Sequence, residues 1–311
     1  RENEESGVPA RVPDMWPGKV ISVAVTEVSS MVLLENGKAY TWGWDNYGVL
    51  GLGLTIPPPS CRAMPAPVEG NYRFKKVAAG TRACAAITFD GKLVVWGRIF
   101  EPDKARGVEA SYLSPTIVKM PEEGKIVDVS VGSANLLCVN EAGSVFAWGV
   151  GSFGELGVPW AARGSRILAK PTKVPGLEGV RIRTVDAGIY HTLALSEDGR
   201  LFEFGEPYHD ATPRWPAVEI TEHFKGRIVD MSADGFGYAC AVDDTGELYE
   251  WGASIVADSN NGKSSVIAVP RPISIEGEPR FTRVIAGAFG VFAITADRKS
   301  TRLNSSHVSQ Y

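Results

Sequence analysis

One short pattern recurs about six times along this chain, and its spacing leaves few folds open. The fullest copy runs from Ile126 to Gly157 as IVDVSVGSANLLCVNEAGSVFAWGVGSFGELG. An alternating apolar run ends at Gly132, a short apolar strand covers Leu136 to Val139, and a turn follows at Glu141-Ala142-Gly143. A third run, Val145 to Trp148, leads into a glycine-punctuated loop from Gly149 to Gly157. Alternation at period two gives strands with one buried face, and a Gly-containing link between two such runs gives a hairpin. The aromatic-Gly pair that closes the third run recurs with its aromatic at 42, 96, 148, 204 and 251, in steps of 54, 52, 56 and 47 residues. A sixth copy covers Phe281 to Ile294. Units of about fifty residues, each with about four short strands, predict an all-β chain built as propeller blades around a central channel.

Composition agrees and narrows the function. Thirty-four glycines and 20 prolines in 311 residues fit a turn-rich all-β protein, and prolines gather in connections such as Ile56-Pro57-Pro58-Pro59. A formal charge of −4 supplies no global basic field to draw nucleic acid. Cys61, Cys84, Cys138 and Cys240 lack CxxC spacing, and three of them fall in apolar strands. That pattern reads as reduced thiols in an intracellular protein, with nucleus or cytoplasm left open. The chain opens on Arg1 rather than Met, so the N-terminus is read as incomplete. Residues 297–311 resemble the translation of a sequencing-adapter read-through and are read as a non-native tail behind a single propeller domain over 1–296. A propeller left open at one edge is expected to aggregate.

The repeated pattern V-x-V-x-x-G…H-T-L-A-L-x-x-D-G-x-L-Y-x-W-G-x-G-x-x-G-x-L-G resembles the regulator of chromosome condensation family of seven-bladed β-propellers. The resemblance spans about Pro9 to Ala296 and implies that six of seven blades are present. Blade order is similar to that of the family's guanine-nucleotide exchange factor for the small GTPase Ran. The resemblance therefore implies a Ran-type GTPase partner and a protruding β-wedge after the Trp96-Gly97 blade. The wedge residues would be Arg98, Ile99, Phe100, Glu101, Pro102, Asp103, Lys104 and Arg106. Ile99 and Phe100 would offer apolar contact, Glu101 and Asp103 charge, and Pro102 a stiff tip. The exchange factor also carries acidic residues just after blade glycines; the matching positions here are Thr81 and Ala134, without charge. Its basic, chromatin-holding N-terminal arm has no counterpart in Arg1-Glu2-Asn3-Glu4-Glu5.

Other motifs have structural explanations. Gly149-Val150-Gly151-Ser152-Phe153-Gly154 matches GxGxxG but lacks the βαβ context of a dinucleotide site. Asn261-Gly262-Lys263-Ser264 lacks the first glycine of a phosphate loop, which would fall at Ala257, so no cofactor is expected. His191 stands alone at a position held elsewhere by Ser29, Ala83, Asn135, Tyr238 and Gly290. With Thr81, Asn135 and Tyr238 it is a candidate for the channel face, and a backbone-held structural histidine is the plainer reading. Trp42, Trp96, Trp148, Phe204 and Trp251 mark one strand of successive blades and read as packing between them. The pentapeptide Gly-Trp-Arg-His-Thr of the family's UV-B photoreceptor is absent from the sequence. No Ser/His/Asp or Cys/His set points to covalent catalysis, and no metal site is expected. Two readings remain: a wedge-bearing exchange factor for a Ran-type GTPase, or a non-catalytic interaction scaffold on the same fold.

Overall fold

The structure is a computed structural model that describes residues 16–53, 60–99, 111–159, 167–206, 214–233, 237–257, 264–275, 277, 279–287, 290–297 and 300–303. Blade 1 comprises β1 (Val20–Val25), β2 (Ser29–Leu34), β3 (Ala39–Asp45) and β4 (Ser60–Pro67). Blade 2 comprises β5 (Phe74–Ala79), β6 (Ala83–Thr88), β7 (Leu93–Arg98) and β8 (Ser111–Ile117). Blade 3 comprises β9 (Ile126–Val131), β10 (Asn135–Asn140), β11 (Val145–Val150) and β12 (Ile167–Lys173). Blade 4 comprises β13 (Ile182–Ala187), β14 (His191–Ser196), β15 (Leu201–Gly205) and β16 (Arg214–Glu219). Blade 5 comprises β17 (Ile228–Ala233), β18 (Tyr238–Asp243), β19 (Leu248–Ala257) and β20 (Ser264–Pro272). Blade 6 comprises β21 (Phe281–Gly287), β22 (Gly290–Thr295) and β23 (Ser300–Leu303). Within each blade the strands pair antiparallel in sequence order.

Packing follows the same period. A hydrophobic cluster fills each gap between consecutive blades. Between blades 1 and 2 it joins Met31 and Leu33 to Val77 and Trp96, and between blades 5 and 6 it joins Cys240 and Val242 to Val284 and Ala293. The marked aromatics belong to this system, and each packs back onto the preceding blade: Trp96, Trp148, Phe204 and Trp251. Trp42 has no preceding blade among the described residues and packs instead against Trp16, the rings tilted by 44° with centroids 5.5 Å apart. The second strands β6, β10, β14 and β18 are buried at every position, because both of their faces are covered by neighbouring blades. Alanine and cysteine along β6 and β18 let those neighbours approach closely.

The innermost strands β1, β5, β9, β13, β17 and β21 surround a central cavity of about 510 Å³. Their inner edges carry backbone groups that no further strand pairs, and aspartates of the preceding blade cap several of them. Asp128 accepts the Val185 N–H, Asp186 the Ala233 N–H and Asp230 the Val284 N–H, each at 2.9 Å. Lys76 of blade 2 pairs with Asp128, and Ser130 and Ser232 both donate to Asp186. Prolines sit in the fourth strands, Pro65, Pro115, Pro171, Pro216 and Pro270 among them, where the outer sheet edge has no ladder partner to lose. The sixth sheet continues into the segment that the sequence sets apart as a tail. Residues Ser300 to Leu303 pair in register with Ile294 to Val291. Backbone pairing accepts any non-proline residue, so it does not register where such a sequence came from.

Candidate functional site

The two ends of the channel differ. At one end each second-to-third-strand hairpin meets a basic residue of the next blade. Gly37 faces Arg73, Gly91 Lys125, Gly143 Arg181, Gly199 Arg227 and Gly246 Arg280. Arg181 pairs with Glu197 and Arg227 with Asp244, so charge on this face is locally matched. The other end gathers the turns before the second strands and the long loops after the third strands. The aromatic-Gly mark builds that end. Gly149 lies at φ +116°, and a Cβ there would approach the Ala134 carbonyl to 2.3 Å. The following residue, Val150, donates its N–H to that same carbonyl. Trp44, Arg98 and Glu206 repeat this bond to Val28, Arg82 and Tyr190, so all four connections leave on one face.

Two of these loops are nailed onto the next blade. Residues 43–51 cross from blade 1 to blade 2, where Val49 O accepts the Trp96 indole N–H at 2.8 Å. Leu50 is fully buried, and its N–H donates to Asp45, whose carboxyl is pushed up by burial against the pull of the loop amides. Residues 149–157 cross from blade 3 to blade 4 in the same way, Thr192 donating to Glu155 O at 2.8 Å. Each loop stands an aromatic against the neighbouring turn. Phe153 meets Tyr190 edge-on at 4.6 Å. The guanidiniums of Arg82 and Arg98 both approach the Tyr47 ring, at 5.1 Å and 4.7 Å from its centre. Trp44 beside it is 54% exposed. Arg98 is among the expected wedge residues, but nothing in the local sequence singles out Tyr47 or Arg82, although aligning Arg82 with Ala134 and Tyr190 would have isolated the substitution.

The sequence candidates fall partly here. Arg98 ends β7 on this face. Ile99 is 2% exposed and packs in the cluster between blades 2 and 3, so its side chain anchors the connection and is not available for partner contact. Its apolar neighbours are its own core, which the sequence alone did not reveal. Phe100, Glu101, Pro102, Asp103, Lys104 and Arg106 lie outside the described residues. Thr81 and Ala134 sit half-buried in the turns of this face. Thr81 donates its N–H to Gly132 O of the next blade.

Asn135, His191 and Tyr238 open β10, β14 and β18 and are buried between blades; neither they nor Thr81 are among the residues lining the cavity. The Tyr238 hydroxyl donates to Glu250 at 2.6 Å. His191 is fully buried, and neither ring nitrogen has a hydrogen-bond partner among the described residues, which corrects the reading of a backbone-held ring. Burial, helped by Arg214, pulls its pKa down to about 4, so it is neutral at physiological pH. The nearby Glu203 carboxylate pairs with Arg214 and accepts the Trp251 indole N–H at 2.8 Å. Burial also pushes the Cys84 and Cys138 thiols up, which keeps them unreactive. Among the described residues no group of three or more His, Cys, Asp or Glu side chains is gathered to hold a metal. The face offers aromatic and arginine contacts rather than covalent chemistry.

Comparison with known proteins gives the architecture its family. The regulator of chromosome condensation repeat matches residues 36–87 and 142–195. The human E3 ubiquitin-protein ligase HERC2 is 28% identical over 82% of this chain, which spans 5% of that protein. The guanine nucleotide exchange factor SRM1 of Saccharomyces cerevisiae is 26% identical over 80% of the chain, which spans 57% of SRM1. The crystal structure of Prp20p from the same yeast, described with its binding to Gsp1p and histones, superposes with a TM-score of 0.75 at 20% identity. That match covers 93% of this chain and 73% of Prp20p. In its repeats, its blade topology and its aromatic-Gly marks, the chain belongs to the regulator of chromosome condensation family of β-propellers.

Proposed function

We propose that this propeller presents its loop-bearing face to a small GTPase of the Ran type and promotes release of the bound guanine nucleotide. The observation that carries the reading is the likeness, along most of the chain, to a named exchange factor. The geometry is compatible with it, because the connection over residues 99–110 departs from Arg98 on the face that also carries Trp44 and Tyr47. Exchange needs no bond chemistry. A surface that binds the nucleotide-free GTPase more tightly than the loaded form weakens nucleotide binding by the same factor. The residues from Phe100 to Arg106 would supply that differential contact as a wedge.

A second reading, a scaffold without exchange activity, is favoured by one observation. Thr81 and Ala134 leave uncharged the positions where the exchange factor's pattern is acidic. The likeness to HERC2, a protein with another named activity, shows the same kind of propeller serving elsewhere. Ran loaded with a fluorescent guanine nucleotide separates the two. Exchange predicts release accelerated about tenfold or more by the protein. It also predicts that Phe100→Ala with Glu101→Ala slows release while the melting temperature stays unchanged. Unaccelerated release by the folded protein would leave the scaffold reading in place.

A further inference from the structure

We infer that the recess between the β18–β19 hairpin and the connection from β20 to β21 binds an apolar monocarboxylate, its carboxylate held by Arg280 and its hydrophobic body laid against the walls below. The first ground is a comparison among blades. In blades 2 to 6 a basic residue stands ahead of the innermost strand, and its carbonyl accepts an N–H from the hairpin of the same blade. The pairs are Phe89 on Arg73, Glu141 on Lys125, Glu197 on Arg181, Asp244 on Arg227 and Ala296 on Arg280. In blades 4 and 5 the acid brought close by this bond neutralises the arginine, Glu197 for Arg181 and Asp244 for Arg227. In blade 2 the Phe89 ring lies 5.4 Å from the Arg73 guanidinium. Blade 6 places only the methyl group of Ala296 there. Arg280 is exposed, and no side-chain hydrogen bond or ion pair engages it among the described residues.

The second ground is the space beside it. Arg280 stands on the wall of a cavity of about 610 Å³, against about 280 Å³ for the counterpart beside Arg181 between blades 3 and 4. Buried Leu248, Ile273 and Phe281 line it with half-buried Ile275. An apolar lining with few polar groups, at this size, is the make-up of a small-ligand site. The third ground is rigidity. Gly246, at φ +85°, sits so close to the arginine stem that a Cβ there would approach the Arg280 Cβ to 2.8 Å. The Phe281 N–H donates to Gly246 O at 3.0 Å and the Ala296 N–H to Arg280 O at 3.1 Å. The guanidinium is thus held at its root, and little freedom is lost when its fork grips a ligand.

Charge selects a monoanion. Lys225 and Glu247, the other ionic groups described in the lining, pair with each other at 2.9 Å, and Glu247 also accepts the Tyr249 hydroxyl. One positive charge is left, and a carboxylate matches a guanidinium in both charge and fork geometry. A phosphate monoester brings most of a second negative charge, which Glu247 repels. The recess lies at the hairpin end of the channel, away from the loop-bearing face, so the inference does not rest on the exchange reading. The test titrates the protein with N-acetyl-phenylalanine by isothermal titration calorimetry. Saturable binding is expected, and N-acetyl-phenylalanine amide, which lacks the charge, should bind about tenfold more weakly or worse. Arg280→Ala should weaken binding of the acid by a similar factor. Ala296→Glu restores the acid of blades 4 and 5 and should also weaken it with Arg280 still in place, while Ala296→Gln should retain it. Both positions are exposed, and melting curves check that each variant folds. A peptide ending in Leu-Phe with a free C-terminus distinguishes the sources of the carboxylate. Tighter, Arg280-dependent binding of the peptide assigns the site to a partner's C-terminus, and equal or weaker binding assigns it to a free acid. Absence of saturable binding below about 10 mM overturns the inference. So does unchanged binding in folded Arg280→Ala, or tighter, Arg280-dependent binding of phenyl phosphate.

Discussion

His191 shows how much a single position can depart from its neighbours within a repeated frame. Its counterparts are Ser29, Ala83, Asn135 and Tyr238, of which Tyr238 finds a buried acceptor in Glu250. His191 is buried beyond solvent, neither nitrogen has a hydrogen-bond partner among the described residues, and Arg214 adds a positive charge nearby. Both influences disfavour the imidazolium, so the folded pKa lies near 4, below the ordinary 6.5. The unfolded chain therefore binds the extra proton first, and the stability associated with neutral His191 is present above about pH 6.5 and lost as pH falls toward 4. The shift corresponds to roughly 3 kcal/mol at full extent. Asp45, Asp186 and Glu203, all pushed up by burial, act in the opposite direction over neighbouring pH values, so the parent's own pH profile mixes the effects. A His191→Leu variant isolates one of them. Relative to the parent it should gain stability progressively from pH 6.5 down to pH 4, read as the difference between denaturant midpoints at each pH. A difference that stays flat over that range would mean that the buried imidazole does not titrate there.

At the scale of the strand, the propeller's recurring problem is an innermost edge whose amides point into a channel. Blades 4 to 6 meet it with an aspartate from the preceding blade, and the cap at β21 is Asp230, which receives the Val284 N–H. Removing one such acceptor exposes a local hydrogen bond worth about 1 kcal/mol rather than a core contact. Asp230→Ala should therefore raise amide exchange along β21 several-fold while β9 and β13, capped by or carrying other residues, keep their protection. Uniformly faster exchange in every blade would instead show that the aspartate supports the whole ring. None of this capping was legible in the sequence, because Asp128, Asp186 and Asp230 look like polar positions of alternating strands. What was legible were the strands themselves. Their period-two runs, the Asp-Gly and Gly-containing hairpins and the aromatic-Gly marks act within a few residues of one another, and the sheets follow them closely. The site was less readable for the same physical reason. Tyr47 reaches Arg82 and Arg98 only through inter-blade packing, and Ile99, apolar at the root of an expected wedge, is claimed by the core between blades 2 and 3.

For the molecule as a whole, the decisive pattern is that each blade buries its faces only against its neighbours. Blades 2 to 5 have a described neighbour on both sides, and the clusters between them are continuous. Blade 1 does not. Ala24 packs toward blade 2, so alternation turns Ile21, Val23 and Val25 the other way, where they are 52%, 70% and 66% exposed. Blade 6 mirrors this arrangement, with Val284 and Ala286 packed toward blade 5 and Ile285, 58% exposed, on the opposite side across from Phe292. Adjacent apolar side chains on a sheet face form the kind of patch that drives association in water. The 311-residue chain should therefore self-associate in a concentration-dependent way, measured by light scattering on a sizing column. Val23→Lys with Ile285→Lys should shift it toward the monomer, because each lysine places a charge in the middle of one patch. These side chains contribute little to the fold, so the melting temperature should move by no more than about 0.5 kcal/mol of stability implies. Association that persists unchanged in the double-lysine variant would locate the contact elsewhere, with the loop-bearing face around Trp44 the next surface to substitute.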